Sequence, residues 1–340
     1  MSSSYPSIMS SRVRLARNYP DLPFDLSKQP EQADSLIART NNAVMLSGIA
    51  DEYDLIRLGE MTGNQRDVLV ESHLISRDLL SRAGIAAVLL NRKESVSIMM
   101  NEEDHLRIQA IMPGMALQEA AEKCFYVDDA LSRQVEFAFD EQLGYLTALP
   151  INTGTGMRAS LLLHLPMLTQ YKQMGTVGQT VAKVGLTIRG VYGEGSDALG
   201  CIYQISNQVT LGRTEQEIIN NTLAVGHQLT DMERALREKA FEQKRALMED
   251  TVYRAMGIMS GARLMPQTEF FRLWSSLRVG AVQGLVKILP SDLDDMLDQV
   301  LDAHLRAYME QDLEGSALNE IRATRIRQIL STAVKKRGVQ

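Results

Sequence analysis

The pattern of apolar residues changes at Thr214, and this change constrains the fold of the 340-residue chain more than any other feature. Before Thr214, short strand-like runs such as "VSIMM" at 96–100 and "LRIQAI" at 106–111 alternate with helical patterns. The spacing of these runs is too irregular for repeated βαβ units. We therefore predict an α+β fold, in which a largely antiparallel sheet is flanked by helices and followed by a helical C-terminal domain.

From Thr214 onward the sequence predicts helices only. The stretch "TEQE" at 214–217 is a capping box, in which Thr214 caps a helix and Glu217 reaches back to it. A second box, "SDLD" at 291–294, precedes apolar residues at helical spacing, and a final basic helix is predicted from about Ser316 to Arg337. We divide the chain into a mixed domain at 1–236 and a helical domain at 237–340. Such a helical domain is as often a dimerisation or docking element as a catalytic part, and its amphipathic helices favour a homodimer.

Composition argues against several classes of protein. A net charge of −6 disfavours nucleic acid as the main partner. No run of 18 apolar residues is present to span a membrane, and the N-terminal residues do not have the pattern of a signal peptide. Only Cys124 and Cys201 are present, too few for a disulfide framework or a cysteine metal site, which suits a reducing cytosol. We therefore expect a cytoplasmic protein.

The middle of the chain is locally basic. From Gln142 to Gly193 there is no Asp or Glu, although the protein is acidic overall. Such a positive field suits an anionic ligand, and chance clustering is the alternative. Within this stretch, "NTGTGMRASLLLHL" at 152–165 is predicted as a glycine-rich turn that leads into a helix, whose N-terminus could receive phosphate near Arg158. The match to a dinucleotide-binding pattern is discounted, because the acidic residue that would hold a ribose is missing. P-loop and protein-kinase motifs are absent as well.

Three further stretches have unusual polar residues. "NEEDHLR" at 101–107 places three carboxylates, a histidine and an arginine between two predicted strands. "SSRVR" at 10–14 puts Arg12 and Arg14 on the same side of an extended strand. "RGVYGEGSDALG" at 189–200 is a glycine-rich loop with one early carboxylate. By itself, an arginine pair on a strand is more often solvated than functional. A plain surface loop explains the glycine-rich stretch as well as a functional loop does.

In their order along the chain, these motifs resemble those of the guanidino (phosphagen) kinase family. The stretch from 192 to 212, "YGEGSDALGCIYQISNQVTLG", is most similar to the bacterial protein arginine kinase branch of that family. The resemblance is strong over about residues 10–236 and weaker through the helical C-terminal region.

The resemblance implies transfer of the γ-phosphoryl group of ATP to a guanidinium nitrogen, with Mg²⁺ held mainly through the nucleotide phosphates and not by a protein metal site. Five arginines and His73, in "ESHLIS", match the residues that bind the nucleotide. The implied nucleotide-binding residues are Ser10, Ser11, Arg12, Val13, Arg14, His73, Arg107, Arg158, Ala159, Ser160, Leu161, Leu162, Arg189, Gly190, Val191, Tyr192, Gly193 and Glu194.

The same resemblance implies two catalytic carboxylates. Glu103 matches the catalytic base, and Glu194 matches a second carboxylate that grips the guanidinium. A guanidinium has a pKa above about 12, so it must be oriented and relieved of a proton as it attacks. Glu102, Asp104 and His105 are left open between a supporting role and plain solvation.

The chain departs from the family pattern at three places. Leu149, in "LPIN", stands where the family usually has cysteine, which predicts reduced or retuned activity and not a dead enzyme. In the C-terminal domain, "LNEIRA" at 318–323 has Leu318 and Asn319 where the branch has the Arg-Asp pair of a phosphoarginine-sensing motif, so allosteric activation by phosphoarginine is in doubt. Only nine residues precede "SSRVR". We therefore expect no separate N-terminal domain, an open acceptor site and arginine within a protein chain as the acceptor.

Three functions follow from these observations. The first is a protein arginine kinase that acts on unfolded or regulatory proteins in protein quality control and the stress response. It would work with an adaptor protein and mark its substrates for a Clp-type protease. The second is a kinase of free arginine or another small guanidine. The third is a non-catalytic regulator that binds nucleotide or phosphoarginine proteins.

Overall fold

The structure is a computed structural model, and it describes residues 6–93, 95–191 and 198–337, with side chains described as far as residue 333. In these residues, eight strands form one sheet in the order β2-β3-β4-β5-β1-β8-β10-β9, and every neighbouring pair is antiparallel. Strands β6 and β7 form a separate hairpin. The predicted α+β class is confirmed. The strands are β1 (Ile8–Arg17), β2 (Tyr53–Arg57), β3 (Ala87–Asn91), β4 (Val96–Met100), β5 (Leu106–Pro113), β6 (Phe139–Asp140), β7 (Gly144–Tyr145), β8 (Met157–His164), β9 (Leu186–Gly190) and β10 (Ile202–Asn207).

The helices are α1 (Pro30–Leu46), α2 (Gly63–Glu71), α3 (Arg77–Leu80), α4 (Leu117–Ser132), α5 (Pro166–Gln170), α6 (Met174–Lys183), α7 (Glu215–Gly261), α8 (Gln267–Val282), α9 (Pro290–Gln299), α10 (Asp302–Met309) and α11 (Gly315–Arg337). Short 3₁₀ turns lie at Ala50–Glu52, Leu58–Glu60, Pro150–Asn152 and Leu199–Cys201. No helix of the described ranges is both long and apolar enough to cross a membrane.

The two faces of the sheet are covered differently. On one face, residues such as Val13 and Leu161 belong to the main hydrophobic core, together with residues of α1, α4 and α7. On the other face, a small cluster that includes Met99 lies at one end, and a cluster that includes Ile202 and Trp274 lies at the other. The strip between these two clusters is polar, and it carries the candidate site.

Two predicted helix starts are wrong. Residues 157–164 form β8, at the centre of the sheet, and not a helix. A short apolar run such as "LLL" at 161–163 fits a buried strand as well as a helix, so periodicity could not separate them. The proposed phosphate site at that helix N-terminus is therefore also wrong. In the second case α9 begins at Pro290, so Ser291 lies inside the helix and does not cap it, because proline is well suited to the first helical position.

Helix α7 begins where the sequence predicts and joins the two parts of the chain. Thr214 Oγ1 accepts a hydrogen bond from the Glu217 backbone N–H at 3.2 Å, and the Glu217 carboxylate accepts one from the Thr214 N–H at 2.9 Å. The helix then runs through the proposed boundary at 236/237 to Gly261, with one kink at Lys244 (φ −138°, ψ 40°). The proposed boundary thus falls inside a helix and not in a linker.

A buried ion pair connects β1 to α4. The Arg17 guanidinium donates from Nε and Nη2 to both carboxylate oxygens of Asp128, at 2.9 and 2.7 Å. Its remaining nitrogen donates to the carbonyl oxygens of Ala16 and Thr155 at 2.8 and 3.1 Å, and its carbon lies 3.4 Å from the centroid of the Tyr145 ring. All parts of the guanidinium are therefore satisfied, and the turn that leads into β8 is held against β1.

We predict that Asp128→Asn lowers the free energy of unfolding by about 3–5 kcal/mol, because it leaves a buried guanidinium without its counter-charge. Urea unfolding followed by circular dichroism measures this loss. The control is Asp21→Asn, which breaks an ion pair of equal length, 2.7 Å to Arg39, at an exposed position. We expect the control to cost less than about 1 kcal/mol. Equal losses in the two variants would contradict the argument.

Candidate active site

The "NEEDHLR" loop is a tight hairpin between β4 and β5 whose polar residues are largely buried. Asn101 has a left-handed φ of 63°, and its N–H donates to the His105 carbonyl oxygen at 3.0 Å, which closes the loop. Asp104 is buried, and its Oδ1 accepts hydrogen bonds from the side chain of Asn18 at 2.6 Å and from the backbone N–H of Ala148 at 2.7 Å. Asp104 is therefore a structural anchor and not a solvated charge.

His105 is also a structural residue. Its Nδ1 accepts a hydrogen bond from the Tyr19 N–H at 2.9 Å, so its Nε2 carries the proton and donates to the Pro23 carbonyl oxygen at 2.8 Å. Burial lowers the pKa of His105 below its ordinary value. The ring is a neutral spacer between the hairpin and the segment after β1.

The two glutamates of the loop have different surroundings. Glu102 is buried, and its Oε1 accepts hydrogen bonds from Arg107 and from the Ser76 hydroxyl. Glu103 is 29% exposed, and its Oε1 accepts a hydrogen bond from the side-chain amide of Asn152 at 2.9 Å. The second oxygen of Glu103 lies 3.9 Å from Arg107 Nη2. Glu102 thus neutralises Arg107, and Glu103 remains accessible.

Burial raises the pKa of Glu103 above its ordinary value. Arg107 lowers this pKa, whereas the neighbouring Asp104 and Glu102 raise it. A carboxylate whose pKa is raised in this way is a better proton acceptor than a solvated glutamate. Glu103 therefore has both the exposure and the basicity that a general base needs.

The five arginines predicted to bind nucleotide lie on one face of the sheet. Arg14 on β1 is directly opposite Arg158 on β8 and opposite Gln109 on β5, so all three side chains share a face. Arg12 and Arg107 lie two residues from these positions on their strands and share the face by the alternation of a β-strand. Arg189 on β9 reaches the same face through its pairing with Gln204, which is opposite Leu162. We call Arg12, Arg14, Arg107, Arg158 and Arg189 the arginine face.

The guanidinium groups of the arginine face lie close enough to lower one another's pKa. Burial lowers the pKa of Arg14 well below its ordinary value, and Arg12, Arg107 and Arg158 lower it further, while Glu102 raises it. The Arg14 Nε is buried and has no hydrogen-bond partner among the described residues. Burial lowers the pKa of Arg158 as well, with Arg189 as the next cause. Bound anionic oxygens would satisfy these groups, so the arrangement suits a polyphosphate.

His73 lies near this face in the bend between α2 and α3. It has a left-handed φ of 59°, and its carbonyl oxygen accepts a hydrogen bond from the side chain of Gln109 at 2.8 Å. Burial lowers the pKa of His73 to about 4, and Arg12 contributes to this shift. The imidazole is therefore neutral at pH 7, and it adds no charge to the arginine face.

The other predicted nucleotide-binding residues divide by face. Ser10, Ser160 and Leu162 alternate onto the arginine face. Four others, namely Ser11, Val13, Ala159 and Leu161, are buried on the opposite face, so their side chains point away from the site. Gly190 and Val191 lie at and just after the end of β9, whereas Tyr192, Gly193 and the predicted catalytic residue Glu194 lie outside the described residues.

Sequence reasoning missed two residues of the site. Asn152 binds the Glu103 carboxylate, and Ser76 binds Glu102. Asn152 lies in the "LPIN" turn, three residues after Leu149, and its side-chain amide is the signal in the sequence. No local signal marks Ser76, because it caps α3 and comes close to Glu102 only through the fold.

The C-terminal departure from the family pattern also has a clear structural setting. Arg322 is buried and donates hydrogen bonds to the carbonyl oxygens of Val300 and Met265 and to the side chains of Asn319 and Asp302. The guanidinium is therefore engaged in packing α11 against its neighbours. This setting is consistent with the expected loss of phosphoarginine sensing, which stays a prediction.

The chain is similar to known proteins along most of its length. A family model described as "ATP:guanido phosphotransferase, C-terminal catalytic domain" matches residues 36–236, and one described as "Protein-arginine kinase McsB C-terminal domain" matches residues 245–339. The chain is 43% identical over 328 residues to the protein-arginine kinase of Moorella thermoacetica, with 95% of this chain and 94% of the relative covered. It is 41% identical over 314 residues to that of Caldanaerobacter subterraneus subsp. tengcongensis, with 92% of each covered.

A solved structure extends the comparison to the fold. The crystal structure of a lombricine kinase matches with a TM-score of 0.61 and 25% identity, over 70% of this chain and 69% of that chain. The fold is thus shared with a solved lombricine kinase.

We predict that Arg14→Met raises the melting temperature of the ligand-free protein by about 2 °C, because it removes one charge from a mutually repelling group. The same variant should show a smaller rise in melting temperature on addition of inorganic tripolyphosphate. Differential scanning fluorimetry measures both effects. The control is Arg92→Met, at an exposed arginine that pairs with Asp54. An unchanged tripolyphosphate response in Arg14→Met would place the anion elsewhere.

Proposed function

Because this chain belongs to the ATP:guanido phosphotransferase family, we propose that it is a protein arginine kinase, which transfers the γ-phosphoryl group of ATP to arginine side chains of proteins. One observation carries the proposal: an accessible carboxylate with a raised pKa, Glu103, lies 3.9 Å from an arginine of the arginine face. A proton acceptor therefore stands beside the group that would hold the transferred phosphoryl. The match of both family models along the chain favours protein arginine as the acceptor.

The nucleotide half of the mechanism rests on the arginine face. The triphosphate would lie on this face, with Arg14 and Arg158 facing its oxygens and His73 beside it as a neutral contact. Positive groups that are already in position stabilise the charge of the transferring phosphoryl without rearrangement of solvent. When bound, Mg²⁺ would neutralise phosphate oxygens. It would be held mainly through the nucleotide phosphates.

The acceptor half rests on Glu103. Its carboxylate accepts a proton from the substrate guanidinium as the nitrogen forms a bond to the γ-phosphorus. The bond between that phosphorus and the bridging oxygen breaks, and ADP leaves. Asn152 holds the carboxylate in place through its 2.9 Å hydrogen bond. We assign Glu194 as the second carboxylate that grips the guanidinium.

Several finer assignments belong to the same proposal. We keep residues 1–236 as the catalytic domain and 237–340 as a dimerising and regulatory helical domain. We infer a cytoplasmic homodimer in protein quality control and the stress response, with an adaptor protein and a Clp-type protease as partners. Leu149 would retune the activity, because it cannot supply a thiolate beside the guanidinium.

We predict that Glu103→Gln lowers the transfer rate about 10²- to 10⁴-fold while ATP still binds, because the amide cannot accept the proton. The assay mixes purified protein, Mg²⁺-ATP, free arginine and an unfolded protein, and mass spectrometry at neutral pH identifies the phosphorylated product. Thermal shift with ATP measures binding. The control is Glu60→Gln, because Glu60 is an exposed glutamate in the 3₁₀ turn at Leu58–Glu60.

The outcomes separate the three hypotheses. Phosphate on protein arginine that is lost in the Glu103 variant supports the proposal. Phosphate on free arginine alone makes the protein a small-guanidine kinase. No transfer, with ATP still bound, makes it a regulator.

We predict that Asn152→Leu moves the acidic limb of the pH profile of kcat/KM to higher pH. Glu103 must be ionised to act, so activity is lost as pH falls through its raised pKa. The Asn152 amide stabilises the ionised form, and its removal raises that pKa further. Steady-state kinetics from acidic to neutral pH measure the shift, with Asn42→Leu on the exposed side of α1 as the control. If the acidic limb of the kcat/KM profile stays at the same pH in Asn152→Leu, Glu103 is not the general base.

A further inference from the structure

An apolar surface lies beside the candidate acceptor site. In the turn that contains Asn152, Leu149 is 46% exposed and Ile151 is 59% exposed. Leu211, in the segment after β10, is 49% exposed. Single exposed apolar residues are ordinary, but three in adjacent segments next to a reactive carboxylate mark a binding surface.

The turn is built so that these side chains face outward. The Thr147 hydroxyl donates to the Leu149 carbonyl oxygen at 2.7 Å. The Thr210 hydroxyl lies 2.9 and 2.7 Å from the carbonyl oxygens of Ile151 and Thr153 and is shared between them. These hydrogen bonds fix the backbone of the turn against the protein, and the side chains of Leu149 and Ile151 are on its solvent side.

The two segments form one continuous surface. Gly154 has a φ of +116°, and a Cβ at this position would lie 2.8 Å from the Leu211 Cα. Only a glycine allows this close approach of the backbones. We call the surface formed by Leu149, Ile151 and Leu211 the apolar shelf.

The apolar shelf is directly connected to the proton acceptor. Asn152 holds Glu103 at 2.9 Å, and Ile151 is its neighbour in the chain. Consecutive Cα atoms are about 3.8 Å apart, so the shelf begins within roughly 10 Å of the Glu103 carboxylate. An extended peptide advances about 3.3 Å per residue, so a residue two or three positions from the target arginine reaches this distance.

We propose that the apolar shelf binds an apolar side chain that flanks the target arginine in an extended segment of the substrate protein. The shelf thereby selects arginines next to Leu, Ile, Val or Phe, whose apolar side chains folded proteins bury and unfolded segments expose. This inference rests on the proposed function and deepens it by naming the class of substrate. The occupant is an extended apolar segment because the shelf is continuous with the site that receives the arginine.

The test uses two peptides that each contain one arginine. One peptide has leucine at two and three residues on either side of the arginine, and the other has serine at those positions. For the natural chain we expect KM about tenfold lower for the leucine peptide with similar kcat, because contact with a flanking residue is the same before and during transfer. In the double variant Ile151→Ser, Leu211→Ser, KM for the leucine peptide should rise to that for the serine peptide.

The controls keep the test specific. Leu149 is left unchanged, because it stands at the position of the family's cysteine. Leu46→Ser removes a 73% exposed leucine at the end of α1 and should leave both KM values unchanged. Thermal melting of each variant checks that the fold is intact.

The remaining outcomes overturn the inference in different ways. Equal KM values for the two peptides in the natural chain would show that the apolar shelf does not bind flanking side chains. The proposed kinase function would not be affected by that result. A leucine preference that survives in the double variant places the apolar contact elsewhere. A change in oligomeric state of the double variant by light scattering, with both peptides affected alike, makes the shelf a contact between two copies. If neither peptide is phosphorylated, the proposed function is contradicted as well.

Discussion

Repulsion among the guanidinium groups of the arginine face is the constraint that the rest of the structure must offset. Adjacent strands of an antiparallel sheet place Arg14 and Arg158 directly opposite each other, where like charges destabilise the pair. The cores on both faces of the sheet hold this arrangement in place. Crowded positive charge of this kind favours a bound anion.

The acidic residues near the arginine face leave most of its positive charge in place. Glu102 is buried against Arg107, Asp104 anchors the hairpin, and His73 and His105 are held with lowered pKa values. Only Glu103 among the three carboxylates of the hairpin is left accessible. In this loop, Glu102 and Asp104 therefore stabilise the fold, and Glu103 is the carboxylate that a substrate can reach.

Much of this arrangement could be predicted from the sequence, and the limits have physical causes. The antiparallel sheet, the capping box at Thr214 and the family were recognised, because each has a local signal that the structure or the comparisons confirm. The strand at 157–164 is predicted as a helix because the polar–apolar alternation of its first residues ends in the apolar run "LLL" at 161–163, which fits a helix as well as a buried strand. The outward or inward direction of Ser11 and Val13 depends on register, and the partnership of Glu102 with Ser76 depends on contacts distant in sequence. Neither is encoded locally.

Helix α7 has a consequence for the cooperativity of the whole chain. It carries buried residues on both sides of the proposed boundary, such as Leu229 before it and Val252 after it. Beyond the helix, His164 of β8 is hydrogen-bonded at 2.7 Å to Ser275 of α8, and Arg278 of α8 donates to the Pro6 carbonyl oxygen at 2.9 Å. Because of these contacts, and because α7 carries buried residues on both sides of its kink at Lys244, loss of packing in the sheet also removes contacts of the C-terminal helices. Unfolding of the C-terminal helices would therefore also weaken the sheet, across the boundary between the two family models.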